Sequence, residues 1–163
     1  MCIRDSSEDF YRKITYSHLE PVLDTLRYLK HQTDVWFEIT NLVIPGANDS
    51  PDELHRMCEW IVEELGTDVP IHFSAFHPDF RMTDRPNTPV LKLLEAYEIA
   101  KSHGIEHVYV GNVHDPKHAS TYCNNCGQLL IERDWYELYQ VNLQNGVCKF
   151  CSTKLVGRFG QSV

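Results

Sequence analysis

Nowhere in this chain of 163 residues does an apolar stretch approach the roughly 20 residues that span a bilayer. The opening segment, Met1 to Glu8, also lacks the charged-then-apolar order of a secretory leader. These two absences disfavour a membrane-spanning or exported protein and make a cytoplasmic one the expectation. Clusters of Lys and Arg are missing as well: 15 basic residues stand against 23 acidic ones, for a net charge of -8. Phosphate backbones and anionic lipid surfaces are held by clustered cations, so neither nucleic acid nor a membrane is an expected partner. What remains is ordinary for a globular chain, 42% hydrophobic and 23% charged, enough to bury a core in one domain with a small module beside it. Residues 1–8 match nothing that follows and read as a non-native leader, with the true start expected upstream.

Periodicity then sets out an alternation. Leu19, Val22, Leu23, Leu26 and Leu29 recur at helical steps between His18 and Lys30, with Pro21 suited to a first turn. Val35 to Ile44 is rich in β-branched and aromatic residues and ends at Pro45-Gly46, the mark of a buried strand and a turn. Ser50, Pro51 and Glu53 form a capping box ahead of Leu54, Met57, Cys58, Ile61 and Leu65, and Gly66 stops that helix. A strand at Pro70 to Phe76, a polar loop from His77 to Pro89, a helix from Val90 to His103 and a strand from His107 to Val110 follow. Strands separated by whole helices pair in parallel, so the fold class is α/β. Ligands in such folds gather at strand C-termini, here Pro45 to Asp49, His77 to Asp79 and Gly111 to His114. A boundary near Asp115 divides residues 9–114 from residues 115–163.

Four of the six cysteines form two Cys-x-x-Cys pairs, Cys123 with Cys126 and Cys148 with Cys151. Two such turns close a shell of four sulfurs with no open position, which suits a structural Zn²⁺ in a zinc-ribbon-like module. A rubredoxin-like iron site would use the same ligands. A thioredoxin-like redox pair belongs at a strand-to-helix junction, whereas Gly127 and the apolar run Leu129 to Ile131 follow Cys126. Two disulfides would need an oxidising compartment, for which nothing here argues. Cys58 lies on the apolar stripe of its helix and reads as a small buried hydrophobe. His72, inside a strand, reads as a hydrogen-bonded structural residue, and His103, His107, His114 and His118 as scattered surface histidines. The loop carrying Asp79, Arg81, Asp84 and Arg85 reads as a solvated connector rather than a lid. Trp135, Tyr136, Tyr139 and Val141 suggest a hairpin strand packing one aromatic face on the α/β part.

Three segments together, Glu38 to Ser50, Pro70 to Phe80, and Val110 to Asn112 ahead of Thr121 to Gly127, resemble the radical S-adenosylmethionine (SAM) enzyme of the AmmeMemoRadiSam system, related to pyruvate formate-lyase activating enzymes. The resemblance covers nearly everything from Asp9 onward. It implies a partial TIM-like barrel whose intact form cleaves SAM reductively at a [4Fe-4S] cluster, yielding a 5′-deoxyadenosyl radical that attacks an unidentified substrate, a protein among the candidates. It further implies that His77 contacts the SAM nucleoside. Glu38, Thr40 and Asn112 are candidates for facing cofactor or substrate, Glu38 and Thr40 because alternate strand residues share the barrel's inner face. The family's Cys-x-x-x-Cys-x-x-Cys is absent, as is an arginine that activating enzymes place near Thr40. The chain therefore reads as the C-terminal half of such an enzyme, inactive by itself. The alternative is a non-catalytic zinc-binding interaction protein.

Overall fold

A computed structural model describes residues 7–159. The chain divides into two compact units, Met1–Val113 and His114–Val163.

In the first unit, β1 (Ile39–Val43), β2 (Ile71–Ala75) and β3 (Val108–Gly111) make a parallel sheet in the order β1-β2-β3. Ahead of them lie α1 (Glu8–Phe10), a π-helical turn (Tyr11–Thr15) and α2 (Glu20–Gln32). Helices α3 (Pro51–Leu65) and α4 (Val90–Ser102) carry the chain from each strand to the next. Alternation decides the two faces of the sheet. Ile39, Val43, Ile71, Phe73, Val108 and Val110 point into a core completed by Leu26 of α2, Leu54, Met57, Cys58 and Ile61 of α3, and Leu93, Ala96 and Ala100 of α4. Thr40, Leu42, His72, Ser74, Tyr109 and Gly111 occupy the opposite, partly exposed face, aligned in the rows Thr40-His72-Tyr109 and Leu42-Ser74-Gly111. The sheet is open, with β1 and β3 as its edges, so the described residues form an α/β layer and not a closed barrel.

The capping box is present as read. Ser50 Oγ accepts the Glu53 amide at 3.3 Å and donates to the Glu53 carboxylate at 2.7 Å. The first strand is shorter than the Val35 to Ile44 run. Ile39 donates to the Pro70 carbonyl at 2.8 Å, but proline has no amide with which to continue the ladder, and β2 starts only at Ile71. Residues 7–15 carry an element that the periodicity reading left out. Phe10 and Tyr11 are buried with Ile44 and Phe76, against Leu42 and Met82, so this helical stretch covers the apolar ends of β1 and β2. Ser7 and Glu8, counted with the leader, are built into that stretch: Ser7 Oγ accepts the Phe10 amide, and the Glu8 carboxylate takes the Leu19 amide and the His18 ring. Residues 1–6 of the leader lie outside the described residues.

The second unit begins with a short helix, α5 (Pro116–Ala119), capped by Asp115. Strands β4 (Thr121–Tyr122), β5 (Leu129–Asp134) and β6 (Glu137–Val141) form an antiparallel sheet, and β7 (Leu143–Gln144) pairs with β8 (Val147–Cys148). Asn145 and Gly146 turn the second hairpin with φ of 51° and 76°, the left-handed pair that an Asn-Gly turn supplies. The aromatic run departs from expectation. Asp134 pairs with Glu137, which leaves Trp135 and Tyr136 as the turn itself, Tyr136 93% exposed, and every residue of β6 is exposed, Tyr139 at 64%. No aromatic face of β6 is covered.

Candidate metal centre and strand-end residues

The two Cys-x-x-Cys turns are copies of one another. In the first, the Cys123 amide donates to the Gln128 carbonyl and the Gly127 amide to the Cys123 carbonyl; in the second, Cys148 to Thr153 and Ser152 to Cys148. Gly127 and Ser152 hold matching left-handed backbones, φ 71° and 61°. Each turn buries its first cysteine and leaves its second nearer water: Cys123 and Cys148 pack with Leu130 and Leu155, while Cys126 is exposed and Cys151 intermediate. The four sulfurs converge within 4.8 Å of one another, with Cys123 to Cys151 at 3.6 Å and Cys126 to Cys148 at 3.8 Å. Bonds of about 2.3 Å to a tetrahedral ion set sulfurs about 3.8 Å apart, whereas a disulfide needs about 2.05 Å. The spacing fits an ion and not a covalent pair.

Protonation agrees with that reading. Hydrogen bonds from the Thr153 side chain and amide and from Asn125 bring the Cys151 thiol down to about 5. The Gln128 amide draws Cys126 the same way, but lost hydration and hydrogen bonding with the other three sulfurs outweigh it, pushing Cys126 up to about 12. Four adjacent sulfurs cannot all carry charge without a cation between them. Among the described residues this is the one group of three or more His, Cys, Asp or Glu side chains close enough to share an ion.

The strand-end candidates divide between the two ends of the parallel sheet. His77 follows β2 and Asn112 follows β3, both exposed and both at the C-terminal edge. The His77 Nδ1 lies 3.0 Å from the Pro78 carbonyl. A carbonyl only accepts, so in the neutral ring Nδ1 carries the proton and Nε2 is left as an acceptor. Asn112, with φ 60°, donates its amide to the Ala75 carbonyl at 3.1 Å, tying β3 to β2. Glu38 precedes β1 at the opposite edge, about six residues of strand, or about 20 Å, below the turn after β1. Thr40 lies between, partly exposed, in the row with His72 and Tyr109. The fold thus brings His77 and Asn112 to one edge and leaves Glu38 at the other.

Glu38 is committed to neighbours, with Oε2 at 2.7 Å from His72 Nε2 and Oε1 accepting the Trp36 indole at 3.2 Å. His72 stacks on Tyr109 at 4.8 Å between ring centres. His72 is thus the hydrogen-bonded residue that its place inside a strand suggests, and Glu38 is the more exposed of the two, 45% against 30%.

Two other expectations change. His107 is buried, 5% exposed, with Nε2 unpartnered and its titration pushed down by that burial. It is a core residue and not a surface histidine. The loop after β2 is fastened to the sheet: Arg85 donates to the Pro45 carbonyl at 2.7 Å, and Thr88 Oγ donates to Val43 at 2.6 Å while accepting the Phe76 amide at 2.8 Å. Asp79, Arg81 and Asp84 stay in solvent, as a connector would have them.

No family model matches the sequence. Over 149 residues the chain is 42% identical to an uncharacterized protein of Methanocaldococcus jannaschii, a match covering 90% of this chain and 44% of the relative. The chain thus spans less than half the length of that relative. Among solved structures, a domain of pyruvate-formate lyase-activating enzyme from Bacteroides vulgatus superposes with a TM-score of 0.59 at 13% identity, over 68% of this chain and 65% of that one. The likeness is one of fold, a mixed α/β layer around a parallel sheet. No helix among the described residues is long and apolar enough to cross a membrane.

Proposed function

We propose that this chain is the rear portion of a radical SAM enzyme of the AmmeMemoRadiSam kind, with its open sheet face as one wall of a partial TIM-like barrel. The observation that carries the reading is the parallel sheet itself. Helices α3 and α4 pack on one face, the other face carries Thr40, His72, Ser74 and Tyr109 and is partly exposed, and His77 and Asn112 sit at the sheet's C-terminal edge. An α/β layer shared with an activating-enzyme domain supports it, as do the three segments whose residues resemble the family.

A [4Fe-4S] cluster does not fit the residues present. Four of the five described cysteines belong to the closed site, and the fifth, Cys58, is buried in α3 with its thiol pushed up to about 12. Its ligands would have to come from outside these residues. The SAM nucleoside fits better. His77 offers a ring acceptor in solvent, matched to the amino hydrogens of a purine. The four-sulfur site fits Zn²⁺ or Fe; when bound, the ion supplies folding energy and no open coordination position.

The test is anaerobic expression of the full-length gene product, reconstitution with iron and sulfide, and assay of 5′-deoxyadenosine from SAM with a chemical reductant. Cluster-dependent deoxyadenosine is expected, and His77→Ala in that protein should weaken SAM binding. A reconstituted protein that forms none would sink this reading. The second reading, a zinc-binding interaction module, would then stand, favoured by the exposed Tyr136, Leu138 and Tyr139 of the ribbon.

A further inference from the structure

The second unit turns two tight hairpins, and it fills their corners differently. Between β7 and β8 the left-handed positions fall to Asn145 and Gly146, the residues that such a corner favours. Between β5 and β6 the left-handed position falls to Trp135, φ 51°, with Tyr136 after it. A bulky side chain is strained in that region, so this corner holds two aromatic rings out in water where Asn-Gly would turn the chain with less strain. The Trp135 ring stands 5.2 Å from the His114 ring and 6.2 Å from the Tyr136 ring, centre to centre. Exposed apolar side chains continue along β6 through Leu138, Tyr139 and Val141.

Strand β6 is also the outer strand of its sheet. Val141 lies opposite Ile131, and the bond beside that pair runs from the Asn142 amide to the Leu130 carbonyl, so the amide and carbonyl of Val141 itself point away from β5. That outward carbonyl takes the Lys149 ammonium at 3.2 Å, and a cation thus closes one end of the edge. The charge of the hairpin favours more of the same sign. From Leu129 to Gln144 three carboxylates, Glu132, Asp134 and Glu137, accompany one guanidinium, and Arg133 is engaged by the Ala119 carbonyl at 3.3 Å and the Thr121 hydroxyl at 2.8 Å. Asp134 and Glu137 are direct cross-strand partners, with the His114 ring 3.2 Å from Asp134. Like charges placed opposite each other repel, and a cation beside them relieves the repulsion. We propose that the outer edge of β6, with its Trp135-Tyr136 corner, docks a short extended segment of a partner protein that carries lysine or arginine. The segment's backbone pairs with β6, while its cations meet the carboxylates and the faces of the tyrosine rings. Nucleic acid is repelled by the same carboxylates. A second copy joined edge to edge would bring two acidic hairpins together, and the bulge at Tyr139, opposite Glu132 and Arg133, leaves little straight edge for sheet-to-sheet pairing. Every group used lies in the second unit, so the proposal stands whichever reading of the α/β part holds.

The experiment titrates the zinc-loaded, isotope-labelled full chain with three short peptides. One alternates Lys and Val, the second has Glu for each Lys, and the third is the first with every backbone nitrogen methylated, which keeps the charge and removes the backbone donors. With the Lys-Val peptide, amide shifts should centre on residues 134–141 and weaken as salt rises. Affinity should fall about tenfold or more for each of the other two, which lack either the cations or the strand pairing. Tyr136→Ala combined with Tyr139→Ala, and separately Glu137→Lys, should each weaken binding by about fivefold or more at unchanged zinc content. Tyr28→Ala, equally exposed to solvent but on α2, should leave it unchanged. Equal binding of the Glu peptide or of the methylated one, shifts centred elsewhere, or a dimer joined through β6 in sedimentation would overturn the proposal.

Discussion

Gly127 and Ser152 fill the same corner of two matching turns, and only one of them is the residue that the corner prefers. A Cβ at Gly127 would meet nothing within 4 Å, so Gly127→Ala isolates the backbone cost. It should destabilise the metal-bound unit by about 1 kcal/mol, with metal stoichiometry intact. Ser152 is exposed, so Ser152→Gly loses no buried contact and should stabilise by a smaller amount, the flexible unfolded glycine offsetting part of the gain. Chemical denaturation of both variants measures the pair. His107 gives a prediction in pH. Burial lowers its folded titration below the ordinary 6.5, so as pH falls the unfolded chain takes up its proton first. Stability should therefore decline as pH drops from 6.5 through the lower folded value, and His107→Leu should flatten that decline while costing little at pH 7, since it removes an unpaired buried nitrogen. Urea midpoints across pH 5–7.5 test it. The four cysteines were legible because their chemistry is carried by spacing alone. The burial of His107 and the pairing of His72 with Glu38 were not, because both depend on which residues of other strands lie alongside.

Elements were legible where a local signal bounds them. Helix α3 has its capping box and begins and ends as read, and α4 stops within a residue of its expected end. The start of β1 was not legible, because a strand needs a partner and the partner here begins with a proline that cannot donate. The β5–β6 turn was missed for a related reason: Trp135 and Tyr136 have strand-like side chains, and only the pairing of Asp134 with Glu137 makes them a turn. The loop after β2 is the element whose anchoring is most testable. Buried Thr88 serves the Val43 carbonyl and the Phe76 amide through one hydroxyl. Thr88→Val keeps the shape and removes the hydroxyl, leaving two buried backbone groups short of a partner at about 1–3 kcal/mol each. Thr88→Ser should recover most of that stability. Thermal melts of the two variants decide whether the loop is pinned by this contact.

The whole molecule carries two separable sources of stability, an apolar core under the parallel sheet and a four-sulfur site with a small cluster around Leu130 and Leu155. Replacing Cys148 with Ser should abolish metal binding and unfold residues 114–159, while amide spectra of residues 7–113 stay native. Unchanged zinc content in that variant would contradict the site. Metal should also be released as pH falls, because each sulfur must lose its proton to bind and regains it in acid. At this scale, sequence by itself determined the α/β alternation, the parallel pairing and the four cysteines that can share an ion. Each follows from local periods, from the length of a crossover helix, or from a turn that spans four residues. Tertiary structure alone decided that Glu38 lies at the far edge from His77 and that Phe10 and Tyr11 cover the ends of β1 and β2. Contacts between residues tens of positions apart depend on strand register and helix packing, and a linear pattern does not encode those distances one residue at a time.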